Sequence, residues 1–128
     1  MNGMTKSYVP KRHDIVWLDF EPKKGQEIGK YRPAFVLSSK DYNQKTGTVI
    51  CCPISTSIRG SLAEVSVFNL QKKSVVVSTV IQTLSWKDRK CQFIIKAEKD
   101  VFKKVILRIL SLLGAEEILQ EIFHKSVS

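Results

Sequence analysis

Two stretches of the chain hold side chains that can handle a phosphate. Between Glu21 and Pro33 lie Lys23, Lys24, Lys30, Arg32 and Tyr31, together with Gly25 and Gly29. Lysine and arginine neutralise phosphate charge, and a tyrosine ring can stack on a base. The stretch reads as a loop between two strands, the usual place for binding residues on a rigid scaffold. A solvated loop would carry the same charges simply because it is exposed. The second stretch, Pro53 to Gly60, offers Ser55, Thr56, Ser57 and Arg59 after an apolar run. Hydroxyls in that position also serve as turn formers bonded to their own backbone. His13 and His124 are the two histidines, and neither stands at a triad or metal-ligand spacing. Cys51, Cys52 and Cys91 are odd in number and form no CxxC pair, so they read as small buried hydrophobes rather than disulfides or zinc ligands. No EF-hand, HExxH, P-loop or GxGxxG pattern occurs, and no metal or cofactor is expected. Types and spacing thus point to polyanion binding without naming an enzyme.

The elements that must position these groups are short. Asp14–Phe20, Ala34–Ser38, Thr48–Ile54, Ala63–Phe68, Ser74–Gln82 and Cys91–Lys96 each read as a strand, with turn residues between them. Six such strands suggest a small barrel or sandwich rather than alternating βαβ units. After Ala97 the pattern changes. Val101, Phe102, Val105, Ile106, Ile109, Leu110 and Leu113 recur at spacings of three and four, one face of an amphipathic helix. Gly114 is a helix stop, and Ala115–His124 can form a second helix with Ile118, Leu119, Ile122 and Phe123 as its apolar positions. That stripe is generous for so small a chain, enough to fill a groove or face a second subunit.

At 128 residues the chain has room for one domain, with the β part at about 8–96 and the helical part at about 98–124. Its 21 basic and 12 acidic residues give a net charge of +9, which raises the prior for a polyanionic partner. Residues 97–128 hold five basic and five acidic residues, so the whole excess belongs to the first three-quarters of the chain. No apolar run approaches the length of a membrane span, and Met1–His13 lacks the apolar core of a signal peptide. The expected location is therefore the cytoplasm, with no membrane contact.

Taken in order, several motifs resemble the MazF/PemK family of bacterial toxin endoribonucleases. They are Tyr8-Val9-Pro10, Trp17-Leu18-Asp19-Phe20-Glu21-Pro22, Gly25-Gln26-Glu27, Arg32-Pro33-Ala34, Tyr42-Asn43, Lys45-Thr46-Gly47, Cys52-Pro53-Ile54-Ser55-Thr56 and Leu84-Ser85-Trp86. The resemblance runs from about Tyr8 to Leu113. It implies a mainly β fold, a small SH3-like β-barrel of the CcdB/PemK type packed with a C-terminal helix. It also implies a homodimer that cuts single-stranded RNA without a metal, and a cognate antitoxin with an acidic tail. By position, Arg32 matches the family's essential arginine, Ser55 its active-site threonine, and Glu27 a loop acid considered as proton acceptor. Lys23, Lys24, Lys30, Tyr31, Thr56 and Arg59 would then hold RNA. The family's Asp-Gln pair before the tryptophan is replaced by Thr79 and Val80, and a glycine before the first strand by His13. The first change keeps open a member that binds RNA or antitoxin without cutting.

Overall fold

The computed structural model describes residues 8–20 and 31–127, with the side chains of the last two left aside. Lys23, Lys24, Glu27 and Lys30 therefore lie outside the described residues. Seven strands form one curled antiparallel sheet: β1 (Asp14–Asp19), β2 (Tyr31–Val36), β3 (Thr48–Ser55), β4 (Glu64–Val67), β5 (Ser74–Val77), β6 (Gln82–Ser85) and β7 (Gln92–Lys96). A short helix, α1 (Lys40–Thr46), joins β2 to β3, and α2 (Val101–Leu113) and α3 (Glu116–Val127) follow the sheet. The expected mainly β fold, a small barrel packed with a helical C-terminus, takes the form of a curled antiparallel sheet followed by C-terminal helices.

β3 is the spine. Its N-terminal half pairs with β6 (Thr48 opposite Ser85) and its C-terminal end with β5 (Ser55 opposite Val75), while its other edge pairs with β2. Pro53 falls where β3 exchanges one neighbour for the other, and Pro33 falls just before β2 begins to pair with β3. Strands tolerate a residue without an N–H at such positions.

Both faces of this sheet are apolar, because strand period two sends alternate side chains to opposite sides. Ile15, Phe35, Cys52, Ile54, Val65 and Val76 pack on one face with Val101 and Val105 of α2. Val16, Leu18, Ala34, Val36, Val49 and Cys51 pack on the other, under Tyr8, Phe20, Leu84 and Trp86. The adjacent cysteines thus sit in different clusters. Burial pushes the Cys51, Cys52 and Cys91 thiols up to about 12, in keeping with their reading as inert hydrophobes.

Three sequence expectations are corrected. Ser74–Gln82 is not one strand: a turn at Ser78–Val80, closed by the Val80 N–H donating to the Val77 carbonyl at 3.2 Å, splits it into β5 and β6. α1 was hidden because only Asn43 of its seven residues is buried, leaving no apolar period to see. Its caps are nonetheless orthodox: the Ser39 hydroxyl accepts from the Tyr42 N–H, and Gly47 closes it at φ +71°. Finally, β2 begins at Tyr31, so Tyr31, Arg32 and Pro33 are strand residues rather than loop residues. Among the described residues no helix is long and apolar enough to cross a membrane.

Candidate active site

Arg32 and Ser55 converge although 23 positions separate them in sequence. On β2, Arg32 shares a face with Ala34 and Val36; on β3, Ser55 shares a face with Cys51 and Pro53. These are the same face of the sheet, since Ala34, Val36 and Cys51 all belong to one core cluster. Where that cluster ends, the face opens into a cavity of about 510 Å³. Arg32, Pro53, Ser55 and Arg59 line it, together with Phe20, Ser57, Ser61, Glu64, Val77, Val80 and Gln82.

The guanidinium of Arg32 lies over the Phe20 ring, 5.9 Å from its centroid. Its Nε is buried and has no hydrogen-bond partner among the described residues. An unpaired buried donor costs about 1–3 kcal/mol, and a bound anion is the natural acceptor, because a planar guanidinium fork matches phosphate oxygens. Ser55 Oγ accepts from the Ser57 N–H at 3.0 Å, so the hydroxyl also shapes its own turn. The next residues are tied by Glu64 of β4, whose two carboxylate oxygens accept from the Arg59 N–H (3.0 Å) and the Gly60 N–H (2.9 Å). That clasp holds the 55–63 segment against the cavity.

Other predicted residues lie elsewhere. Tyr31 precedes Arg32 in an extended strand and so faces the opposite side. Its ring stacks on Trp17 (5.4 Å, 19°) and its hydroxyl donates to the Lys90 carbonyl at 2.7 Å. It does not line the cavity. Thr56 lines a neighbouring hollow of about 380 Å³ with Trp17, Pro33 and Lys72. Of the Thr79-Val80 pair, Val80 lines the Arg32 cavity and Thr79 is exposed. Gln82, two residues on at the start of β6, brings an amide to the same wall. Sequence reasoning named Ser57 among the hydroxyls of its stretch but missed Gln82, Glu64 and Phe20. The alternation of β4 around Val65 and Val67 would have pointed Glu64 away from the core, but nothing local ties it to Arg32. Among the described residues, no group of three His, Cys, Asp or Glu is placed to hold a metal ion.

His13 takes φ +82°, a left-handed conformation in which glycine is unstrained. The ring is retained against Phe102, 5.4 Å away and edge-on.

Fold and cavity together define a small curled-sheet protein whose sheet face ends in a cavity lined by two arginines and several hydroxyls. A family model described as PemK-like, MazF-like toxin of type II toxin–antitoxin system matches residues 11–113. The chain belongs to this family. The endoribonuclease toxin MazF of Escherichia coli K12 is 37% identical over 86 residues, covering 67% of this chain and 78% of that protein. The crystal structure of MazF from Deinococcus radiodurans superposes with a TM-score of 0.76 at 37% identity, covering 84% of this chain and 99% of that one. A MazE–MazF complex from the same organism matches at 0.77 and 37%, with 84% and 98% covered. An endoribonuclease from a mycobacterial species, 17% identical with a TM-score of 0.66, shares the fold. The protein is thus a MazF-like toxin, of a family whose characterised relatives are endoribonucleases.

Proposed function

We propose that this toxin cuts single-stranded RNA at the Arg32 cavity by attack of the 2′-hydroxyl on the adjacent phosphorus. The 2′-oxygen forms a bond to phosphorus as the bond to the 5′-oxygen breaks, leaving a 2′,3′-cyclic phosphate and a 5′-hydroxyl. Three tasks follow: removing the 2′-proton, neutralising the crowded phosphorane, and returning a proton to the departing oxygen. Arg32 takes the second task, and the observation that carries the reading is its buried, unpartnered Nε beside Ser55. The Ser55 hydroxyl adds a hydrogen bond to a phosphate oxygen. Glu27 is assigned the proton transfer by its place in the motif. Lys23, Lys24, Lys30 and Arg59 hold the flanking phosphates, with Thr56 and Tyr31 on the neighbouring face. No metal or cofactor enters this scheme. No observation favours a member that binds without cutting, since Arg32 and Ser55 share one open cavity despite Thr79 and Val80.

The same cavity suits a cognate antitoxin with an acidic tail, which would cover the basic loop and fold on binding. A crystal structure of MazE–MazF from Deinococcus radiodurans is among the similar structures. We further propose one domain, a homodimer and a cytoplasmic location. The decisive experiment incubates the wild-type protein and Arg32→Ala with a single-stranded RNA in EDTA and maps the product ends. The wild type should yield 2′,3′-cyclic phosphate ends, and Arg32→Ala should lose at least a hundredfold in rate with an unchanged circular dichroism spectrum. Cleavage by Arg32→Ala at the wild-type rate would refute the assignment.

A further inference from the structure

A second cavity, of about 630 Å³, opens at the other end of β3 from Ser55. Trp86, Lys87, Lys90, Tyr8 and Gln44 line it, and no carboxylate does. It shares no residue with the Arg32 cavity. The Trp86 N–H donates to the Gly47 carbonyl at 3.3 Å, which puts this residue just beyond the first residue of β3. β3 has eight residues, so its two ends lie about 23 Å apart at roughly 3.3 Å per residue. Both cavities are rimmed by side chains that cover one apolar cluster, Phe20 at the first and Tyr8, Trp86 and Cys91 at the second. The segment that carries the two lysines is also tied to the Arg32 side. The Asp19 N–H donates to the Arg89 carbonyl, and Arg89 Nη1 donates to the Asp19 carbonyl, each at 3.0 Å and one residue before Phe20.

The aromatic groups of this second cavity have their polar atoms already bonded. The Tyr8 hydroxyl donates to Asp14, and the Trp86 indole N–H donates to the Asn43 carbonyl at 2.9 Å. What remains for a ligand is ring face. Lys87 Nζ stands 5.7 Å from the centroid of the Trp86 ring, so a cation and a π-face occupy one spot. Lys90 is exposed, and its backbone is fixed by the Tyr31 hydroxyl, which donates to the Lys90 carbonyl at 2.7 Å. Neither lysine has an ion-pair partner among the described residues. Asp88, between them in the chain, instead accepts from the Ser85 hydroxyl at 3.0 Å. Ring faces beside free cations suit a single nucleic-acid strand, whose bases stack while its phosphates meet the ammonium groups. An acidic peptide would use the lysines and leave the rings idle. Gln44 adds an amide that can donate to or accept from a base edge.

We propose that this cavity is a second RNA subsite, where a nucleotide several positions from the cleaved bond stacks on Trp86 and Lys87 and Lys90 hold its flanking phosphates. The inference rests on the RNA-cleaving reading and adds a length requirement to it. A strand must span β3 before the second subsite contributes to binding.

Fluorescence polarisation with 2′-O-methylated single strands, which lack the attacking hydroxyl, measures binding without cleavage. Strands of about four and about twelve nucleotides bracket the span. The wild type should bind the longer strand at least about tenfold more tightly than the shorter. Lys87→Gln/Lys90→Gln should lose that gain with an unchanged circular dichroism spectrum. Its log–log salt slope on the longer strand should be shallower by about 1.4, two phosphates at about 0.7 each. In a Trp17→Phe chain Trp86 is the sole tryptophan, and only the longer strand should quench its emission. Equal affinities and slopes in the wild type and the double variant would overturn the proposal, as would unquenched Trp86. Quenching by polyglutamate and not by the longer strand would assign the cavity to an acidic protein segment and overturn it too. Binding of both strands by the wild type with no effect of length leaves the Arg32 reading standing while this one falls. Binding of neither strand sinks both.

Discussion

Arg32 is aimed by strand period alone. One residue earlier, Tyr31 points to the other side of β2 and spends its ring on Trp17. A one-residue slip of this strand would exchange the two and destroy the site. Glu64 belongs to the same scale. It does not touch Ser55, but it clasps the backbone that Ser55 leads into. Glu64→Ala should loosen the 55–63 segment, lowering kcat about tenfold or more while costing about 1–3 kcal/mol of stability. Glu64→Gln, which keeps one acceptor oxygen, should recover part of the rate in the same assay. His13 supplies a pH dependence. Burial, then Lys96 and Arg12, hold its pKa below the usual 6.5. The unfolded chain therefore takes up the proton first as pH falls. The stability from neutral His13 is full above about pH 6.5 and is lost as pH drops through the folded value. Urea midpoints should fall between pH 7 and pH 5, and His13→Asn, which tolerates positive φ, should flatten that fall.

At the scale of elements, α1 is a brace rather than a binding helix. Asn43 is fully buried, and its amide donates to the Pro10 carbonyl at 2.7 Å and the Ser38 carbonyl at 3.3 Å. Its own carbonyl accepts from the Trp86 indole at 2.9 Å. The Tyr42-Asn43 motif thus ties the N-terminal segment, the first half of β3 and the residues after β6 into one unit, away from the Ser55 end of β3. Asn43→Ala strands buried partners and should cost about 2–3 kcal/mol in urea unfolding, with RNA cleavage by the folded fraction unchanged. The strands and α2 were legible because apolar period two and period 3.6–residue spacing are local signals. α1 was illegible because its one buried residue is polar. The β5–β6 break was illegible because Ser78–Val80 contains neither glycine nor proline, and the turn is imposed by β3 changing partners.

For the whole molecule, the charge of +9 lies entirely in residues 1–96. RNA affinity should therefore fall steeply with salt, with a log–log slope near −0.7 per phosphate contacted on a single strand. Arg59→Ala should make that slope shallower by about 0.7 in filter-binding titrations, whereas charge changes in α3 should leave it unaltered. Local pattern was enough to read most of the strands, the α2 helix, the apolar faces and the basic bias. Arg32 and Ser55 were legible too, because their neighbouring motifs match a family pattern. Only the tertiary structure decided that Arg32, Ser55, Glu64 and Gln82 share one cavity while Tyr31 and Thr56 stand outside it. The physical reason is that side-chain direction follows strand register, and register is set by pairing between strands far apart in the chain. Composition and local spacing carry no record of that pairing.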